Sequence, residues 1–425
     1  MSETAIIDLL RREVVPAIGC TEPIAVALTA ARAAEILGEE PEVIEAEVSG
    51  NLLKNGMGVM VPGTGQPGLQ IAAAVGALGG KSSLGLECLR DLSQAQVEKA
   101  REALDAGKIA LSVADNDLLL YCKVTARANG KSAAAELRDS HANLTRAWKD
   151  GELVYEKEAD NTGKVVDEEW PLTFRRIYEF AQSAPLEDIE FILDAARMNR
   201  QVAEEGLKSR YGLAVGKNMA AQMERKILAD DLPTFAVKLT AAAADARMAG
   251  VMMPVMSNSG SGNQGITCTM PVVAYAIRLE KSDEELARAL ILSHLTSIHI
   301  KRHLGRLSAH CGAMVAATAA ACGIARLLGG GEKELEMTVR NMVGNVAGMI
   351  CDGAKSSCAL KVASAVNAGI QAAMLALGGS AVTGEEGIVS EDIEACIANL
   401  GRLGSSGMRE TDKVILDIML HKKKR

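Results

Sequence analysis

Strand-like patterning in this chain stops less than halfway along, which limits the folds open to it. IALSVADNDLLLYCKVTARANGKSAAAELR carries two β-like runs, with Asn129-Gly130 where a hairpin turn belongs. GELVYEKEADNTGKVV reads as a further hairpin, and EVIEAEVSGNLLKNGMGVMV as strand, Gly-rich turn and strand. Thr21–Leu37 is expected to be a helix, because TEP supplies an N-cap with proline in the first turn. From about Pro185 the β signals nearly vanish and apolar residues recur at helical spacing. LEDIEFILDAARMNRQVAEEGL, GEKELEMTVRNMVGNVAGMI and VSEDIEACIANLG are expected helices of this kind. SDEELARALILSHLTSIHIKRHL adds Ser282 and Glu285 in capping-box spacing. The expected architecture is an α+β N-terminal domain over residues 1–175. A mostly α-helical, Ala/Gly-rich C-terminal catalytic domain follows over 176–425.

Such a chain must build its interior with few large rings. Aromatics are 3% of it, so closely approaching Ala-rich helices with Met as filler are expected. A net charge of −8 argues against a nucleic-acid groove, and the basic run HKKKR reads as a solvated tail. MSETAIIDLLRREVV has no basic segment ahead of an apolar core, so no secretory leader is expected. Ala249–Ile277 and Val362–Gly384 are long and uncharged, but their Gly, Ser, Asn and Gln mark buried helices and loops rather than membrane spans. The expected location is cytoplasmic, where the nine cysteines would be reduced.

Cys88, Cys122 and Cys396 lie in ordinary amphipathic or strand context and read as core residues. Cys311 and Cys322 fall on one face of an Ala-rich helix expected to end at Cys322-Gly323. At 1.5 Å per residue they are about 16 Å apart, too far for one compact metal centre. Cys311 sits at the start of that helix, where free N–H groups favour a thiolate. Cys351 and Cys358 bracket DGAKSS, in which Asp-Gly favours a turn that lets both sulfurs converge. Three thiolates suit a soft centre, zinc or iron–sulfur, although the paired CxxC units of a zinc ribbon are missing. The alternative is three plain core cysteines.

Cys20, in GCTEP, precedes a helix start, as a reactive thiolate would, or as a small buried residue would. SNSGSGNQG, residues 257–265, lies between apolar segments and reads as a backbone nest for a carboxylate or as a surface loop. His299 and His303 are four apart on a helix, which suits a metal pair. With no third ligand evident, core or surface roles are favoured. Asn51 and Lys54 sit in a Gly-rich turn that can line a site.

Taken in order, GCTEP, SGNLLKNGMGV, SGSGNQGI, SAHCGAM and CDGAKSSC resemble the bacterial and archaeal L-cysteine desulfidases, which are related to the iron–sulfur L-serine dehydratases. The resemblance spans nearly the whole chain. Its most specific part places Cys351 forty residues after Cys311 and Cys358 seven after that. It implies an oxygen-sensitive 4Fe–4S cluster held by Cys311, Cys351 and Cys358, with Cys20 as catalytic base. The implied reaction takes L-cysteine and water to hydrogen sulfide, pyruvate and ammonia without pyridoxal phosphate.

For that reaction the carboxylate cradle is assigned to Ser259, Gly260, Ser261 and Asn263, with hydrogen bonds from Thr21 and Asn51. Lys355, Ser356 and Ser357 would face the cluster or the substrate. The serine dehydratases carry Ser-Ser-Ser-His where this chain has GCTEP, and some end in a cysteine where this chain reads HKKKR. Both departures favour desulfidase. Lyases acting on L-serine or another β-substituted amino acid, a non-catalytic amino-acid or cluster sensor, and a zinc-bound structural protein remain the alternatives. The expected partners are a small amino-acid substrate and a second copy of the chain in a homodimer, with neither nucleic acid nor membrane.

Overall fold

A computed structural model describes residues 1–116, 118–157, 172–305 and 308–422. The first part holds α1 (Glu3–Glu13), β1 (Pro16–Ile18), α2 (Thr21–Leu37), β2 (Val43–Val48), α3 (Gly50–Gly56), α4 (Leu69–Gly79), α5 (Gln94–Asp105), β3 (Ile109–Val113), β4 (Tyr121–Ala128), β5 (Lys131–Arg138), β6 (Leu144–Lys149) and β7 (Glu152–Glu156). Then come α6 (Phe174–Ser183), α7 (Leu186–Ile189), α8 (Leu193–Lys208), α9 (Val215–Glu224), α10 (Leu232–Met248), β8 (Pro254–Met256), α11 (Gly262–Arg278), α12 (Asp283–Leu304), α13 (Gly312–Leu327), α14 (Glu332–Val346), α15 (Cys358–Leu377), α16 (Ile393–Arg402) and α17 (Arg409–Leu420). An N-terminal region with a sheet is thus followed by a mostly helical one, as the pattern predicts.

Six strands form one sheet in the order β3-β2-β4-β5-β6-β7, with β2 and β3 parallel and the other neighbours antiparallel. The β4–β5 hairpin turns at Asn129 and Gly130, both with positive φ, as a two-residue primed turn requires. The helix α2 lies on this sheet and shares its core with Ile44, Val48, Val124 and Leu137. A second, larger core fills the helical region and also takes Ile6, Leu9, Leu10 and Val14 from the start of the chain. The two regions are further tied by β1, which pairs antiparallel with β8.

Several local readings differ from the sequence expectation. SGNLLKNG is the helix α3 rather than a turn, because Leu52 and Leu53 are buried in the sheet core, and tertiary burial outweighs the poor helix propensity of glycine. The expected strand over MGVMV is reduced to an isolated bridge between Met60 and Pro67. IALSV through LR holds three strands, not two, since Ile109–Val113 adds to the edge of β2. Only the first arm of the GELVYEKEADNTGKVV hairpin, β7, falls within the described residues, and it pairs back onto β6. The helix α13 runs through Gly323 to Leu327. At Gly323 a Cβ would lie 3.0 Å from the Ala289 carbonyl, so the glycine serves close packing of α12 on α13 instead of ending the helix. Among the described residues α15 has the length and composition to cross a membrane, and 56% of its apolar window is buried inside the protein.

Candidate active site

The short β1–β8 ladder sets the site. It places the chain leading to Cys20 beside the chain leading to Asn258–Ser261, and Ser259 N–H donates to the Glu13 carbonyl at 2.9 Å. Gly19 turns with φ +74, and any side chain there would strike Pro62. Cys20 is then the extended N-cap of α2, and its thiol donates to Glu22 Oε2 at 3.0 Å. The Thr21 hydroxyl donates to the same oxygen at 3.1 Å. His141, from the β5–β6 loop, comes within 3.9 Å of Glu22 Oε1. Gly260 has φ +77, and a Cβ on it would lie 3.2 Å from His141 Nδ1, so the Gly-rich loop packs against this imidazole.

Burial and the Glu22 carboxylate push the Cys20 thiol well above its ordinary pKa, despite an opposing pull from Arg247. Burial also pushes Glu22 up, but His141, the Cys20 hydrogen bond and Arg247 outweigh it and hold the carboxyl below its usual range. The resting state is a neutral thiol on an ionised carboxylate. The helix start alone pointed to a thiolate, and burial reverses that preference.

Arg247, at the end of α10, is 5% exposed, and its Nη2 donates to the Gly19 carbonyl at 2.8 Å. Its Nε–H is buried without a partner. A Cβ on Gly262 would lie 2.2 Å from that nitrogen, so the glycine leaves the guanidinium room against the start of α11. Asn263 donates to Met248 Sδ at 3.2 Å, and its Oδ1 is buried and unpaired. Ser261 caps α11, accepting from Gln264 N–H, and its own N–H goes to the Asn258 carbonyl. With Ser259 and Ser261 N–H committed to protein carbonyls, the positive charge at this cradle is that of Arg247.

The three cysteines converge from separate elements. Cys311 is the N-cap of α13 and Cys358 the first residue of α15. Cys311 N–H donates to the Met349 carbonyl and Cys351 N–H to the Ala309 carbonyl, so a two-stranded bridge holds these two together. The Cys311 thiol is pushed up to about 12 by burial and then by Cys351 and Cys358 beside it. Lys361 faces the trio. Burial lowers its pKa, but Asp352, Cys311 and Cys351 raise it further. The DGAKSS turn docks on α3: Gly353 has φ +90, and a Cβ there would lie 2.3 Å from the Lys54 carbonyl. Ala354 N–H donates to the Asn55 carbonyl at 3.2 Å. Lys355 folds back onto the Asp352 and Gly353 carbonyls.

Three soft thiol donors beside a lysine have the chemistry of an iron–sulfur site. Thiolates about 2.3 Å from one zinc cannot lie more than roughly 4.6 Å apart. Among the described residues, the group of ligand atoms all within 4.8 Å of one another is His299, His303 and Glu394, not the cysteine trio. Burial raises the Cys311 and Cys358 thiols, and Lys361 opposes that shift only in part, so a bound metal's own charge would supply the rest of the pull toward thiolate. Cys20, Val59 and Met248 form one small apolar patch, and Ala354 and Cys358 pack against it. Cys20 from the first region and Cys358 from the second therefore line one place.

A family model described as the serine dehydratase alpha chain matches residues 83–417. The chain belongs to the serine dehydratase alpha chain family. It is similar to UPF0597 proteins of Oleidesulfovibrio alaskensis, 60% identical over 98% of both chains, and of Bacteroides fragilis, 50% identical over 98% of both. One from Aeromonas hydrophila is 48% identical over 98% of this chain and 96% of its own.

In this serine dehydratase alpha chain relative, the sequence-chosen residues Cys20, Thr21, Gly260, Asn263, Cys311, Cys351 and Cys358 fall around one region. Asn51 is the second residue of α3, one turn before Asn55, which makes the contact to Ala354. Glu22, His141, Arg247 and Gln264 were missed. Glu22 lies inside GCTEP, and Arg247 is the one cation in AAAADARMAG, so a charge amid alanines was the available signal. Gln264 Oε1 is buried, unpaired and close to Gly312, beside Cys311. His141 had no local signal.

Proposed function

We propose that this protein is an iron–sulfur lyase that degrades L-cysteine to hydrogen sulfide, pyruvate and ammonia. The observation that carries the reading is the Cys20 thiol, bonded to the Glu22 carboxylate and sharing an apolar patch with Cys358. Cys311, Cys351 and Cys358 are the residues that would hold a 4Fe–4S cluster. Such a cluster, when bound, supplies a soft Lewis acid for the departing sulfur.

The chain's own residues do the rest. The Cys20 proton passes by way of Glu22 to the departing sulfur, which leaves as hydrogen sulfide, while the thiolate, made strongly basic by burial, removes the α-proton of the substrate and so becomes a thiol again. The C–H electron pair becomes the Cα–Cβ double bond, and the Cβ–S bond breaks with its pair leaving on sulfur. The aminoacrylate tautomerises to an imine, which water hydrolyses to pyruvate and ammonia. The spare Arg247 Nε–H and the Asn263 amide hold the carboxylate. Val59, Met248 and Ala354 exclude water from the base.

L-serine is the second reading, supported by the description of the family model. GCTEP supports L-cysteine. Anaerobically purified protein is expected to be brown and to contain iron and sulfide. It should turn over L-cysteine with a kcat/KM at least about tenfold above that for L-serine. The reverse preference moves the assignment to serine, and colourless, iron-free, fully active protein removes the cluster. Cys20→Ala should keep the iron and lose turnover. A wild-type protein that binds amino acid without turnover would be a sensor.

A further inference from the structure

Away from the cysteine trio, α12 and α16 bring two imidazoles and a carboxylate together. His299 and His303 lie one turn apart on α12, their rings edge to face with centroids 5.3 Å apart. Glu394, in the first turn of α16, places Oε2 2.8 Å from His299 Nε2. Its other oxygen accepts the Phe174 N–H at 2.6 Å, which fixes the plane of the carboxylate. Ligand atoms of all three residues lie within 4.8 Å of one another. Gly401 lets α16 come this close, since a Cβ there would lie 2.4 Å from His303 Cβ.

We propose that His299, His303 and Glu394 bind a divalent transition-metal cation of the zinc class. A His299–Glu394 ion pair alone would explain only two of the three groups. It leaves His303 Nε2 buried with no hydrogen-bond partner, an arrangement folded proteins seldom tolerate. A cation at this point uses that lone pair. Two neutral imidazole nitrogens and one carboxylate oxygen suit zinc-like ions, whereas magnesium and calcium prefer all-oxygen shells. The Phe174 N–H is the kind of outer hydrogen bond that orients a ligating carboxylate.

The ion ties α16 to α12. Beyond α16, the Ser308 hydroxyl donates to the Gly404 carbonyl at 2.7 Å and accepts the N–H of His310, the residue before Cys311, at 3.0 Å. The ion uses none of the residues proposed for turnover.

The test adds Zn²⁺ to the anaerobically purified full chain and reads zinc by elemental analysis and zinc-edge X-ray absorption. The expected result is about one zinc per chain in a nitrogen–oxygen shell without sulfur. Binding should be at least about tenfold weaker in His303→Gln and Glu394→Gln, and unchanged in Cys311→Ser. Zinc should also raise the melting temperature of the wild type by about 5 °C and leave His303→Gln unmoved. Sulfur in the zinc shell, or zinc bound equally by His303→Gln, overturns the site. If both histidine-site variants fail to fold by circular dichroism, the wild-type shell alone decides.

Discussion

Cys20 and Glu22 act as one unit because a single hydrogen bond joins a buried thiol to an ionised carboxylate. Replacing Glu22 by Gln keeps the shape of that contact but removes the proton acceptor. Turnover is expected to fall about 10²–10⁴-fold with iron content unchanged, read as pyruvate formation against iron analysis. Cys20 was legible because GCTEP sets a thiol at a helix start. Glu22 was in view without a role, since sequence alone does not say that its side chain turns back onto Cys20. Arg247 and His141 were hidden for a different reason. Each reaches the site through a contact distant in the chain, to Gly19 and to Glu22 respectively.

At the scale of elements, the turn between Cys351 and Cys358 rests its backbone directly on that of α3. Gly353→Ala puts a methyl against the Lys54 carbonyl at φ +90 and should cost roughly 2 kcal/mol or more. Denaturant unfolding and iron retention should both register the loss. A second element-level contact locks the Gly-rich loop to the helical core. Asn258 Nδ2 donates to His294 Nδ1 at 3.1 Å. Thr269, whose hydroxyl proton goes to the Gly265 carbonyl, accepts from His294 Nε2.

The imidazole is therefore neutral, and burial lowers its pKa to about 3. A histidine depressed in this way contributes stability that is full above about pH 6.5 and is lost as pH falls toward 3. Stability should drop by about 1.4 kcal/mol per pH unit in that window from this group. His294→Gln should flatten the slope in urea titrations at stepped pH. Helix boundaries such as Thr21–Leu37 were readable from caps and periodicity. The helix α3 was not, because glycines at both its ends imitate a turn and only burial of Leu52 and Leu53 decides otherwise.

Over the whole molecule, the two regions meet through a buried ion pair between Lys54 on α3, 1% exposed, and Asp412 on α17. Asp412→Asn strands the lysine and should cost roughly 3 kcal/mol, whereas a Lys54→Met, Asp412→Leu double variant should recover most of it. Equilibrium unfolding distinguishes the two. The order of the regions was legible from the loss of strand patterning near Pro185. Their joining was not, since three-residue strands such as β1 and β8 are too short to carry a period.

The pairing of Pro16 with Met256 also bears on how the protein is made. A ladder between such distant segments forms late, because closing a long loop is slow. A chain still on the ribosome holds Cys20 without its counterpart strand, and Cys351 and Cys358 emerge later still. Loading of the proposed cluster would then follow synthesis, onto a nearly finished chain. Pulse-labelled protein made in air should accumulate oxidised Cys20 before it acquires iron.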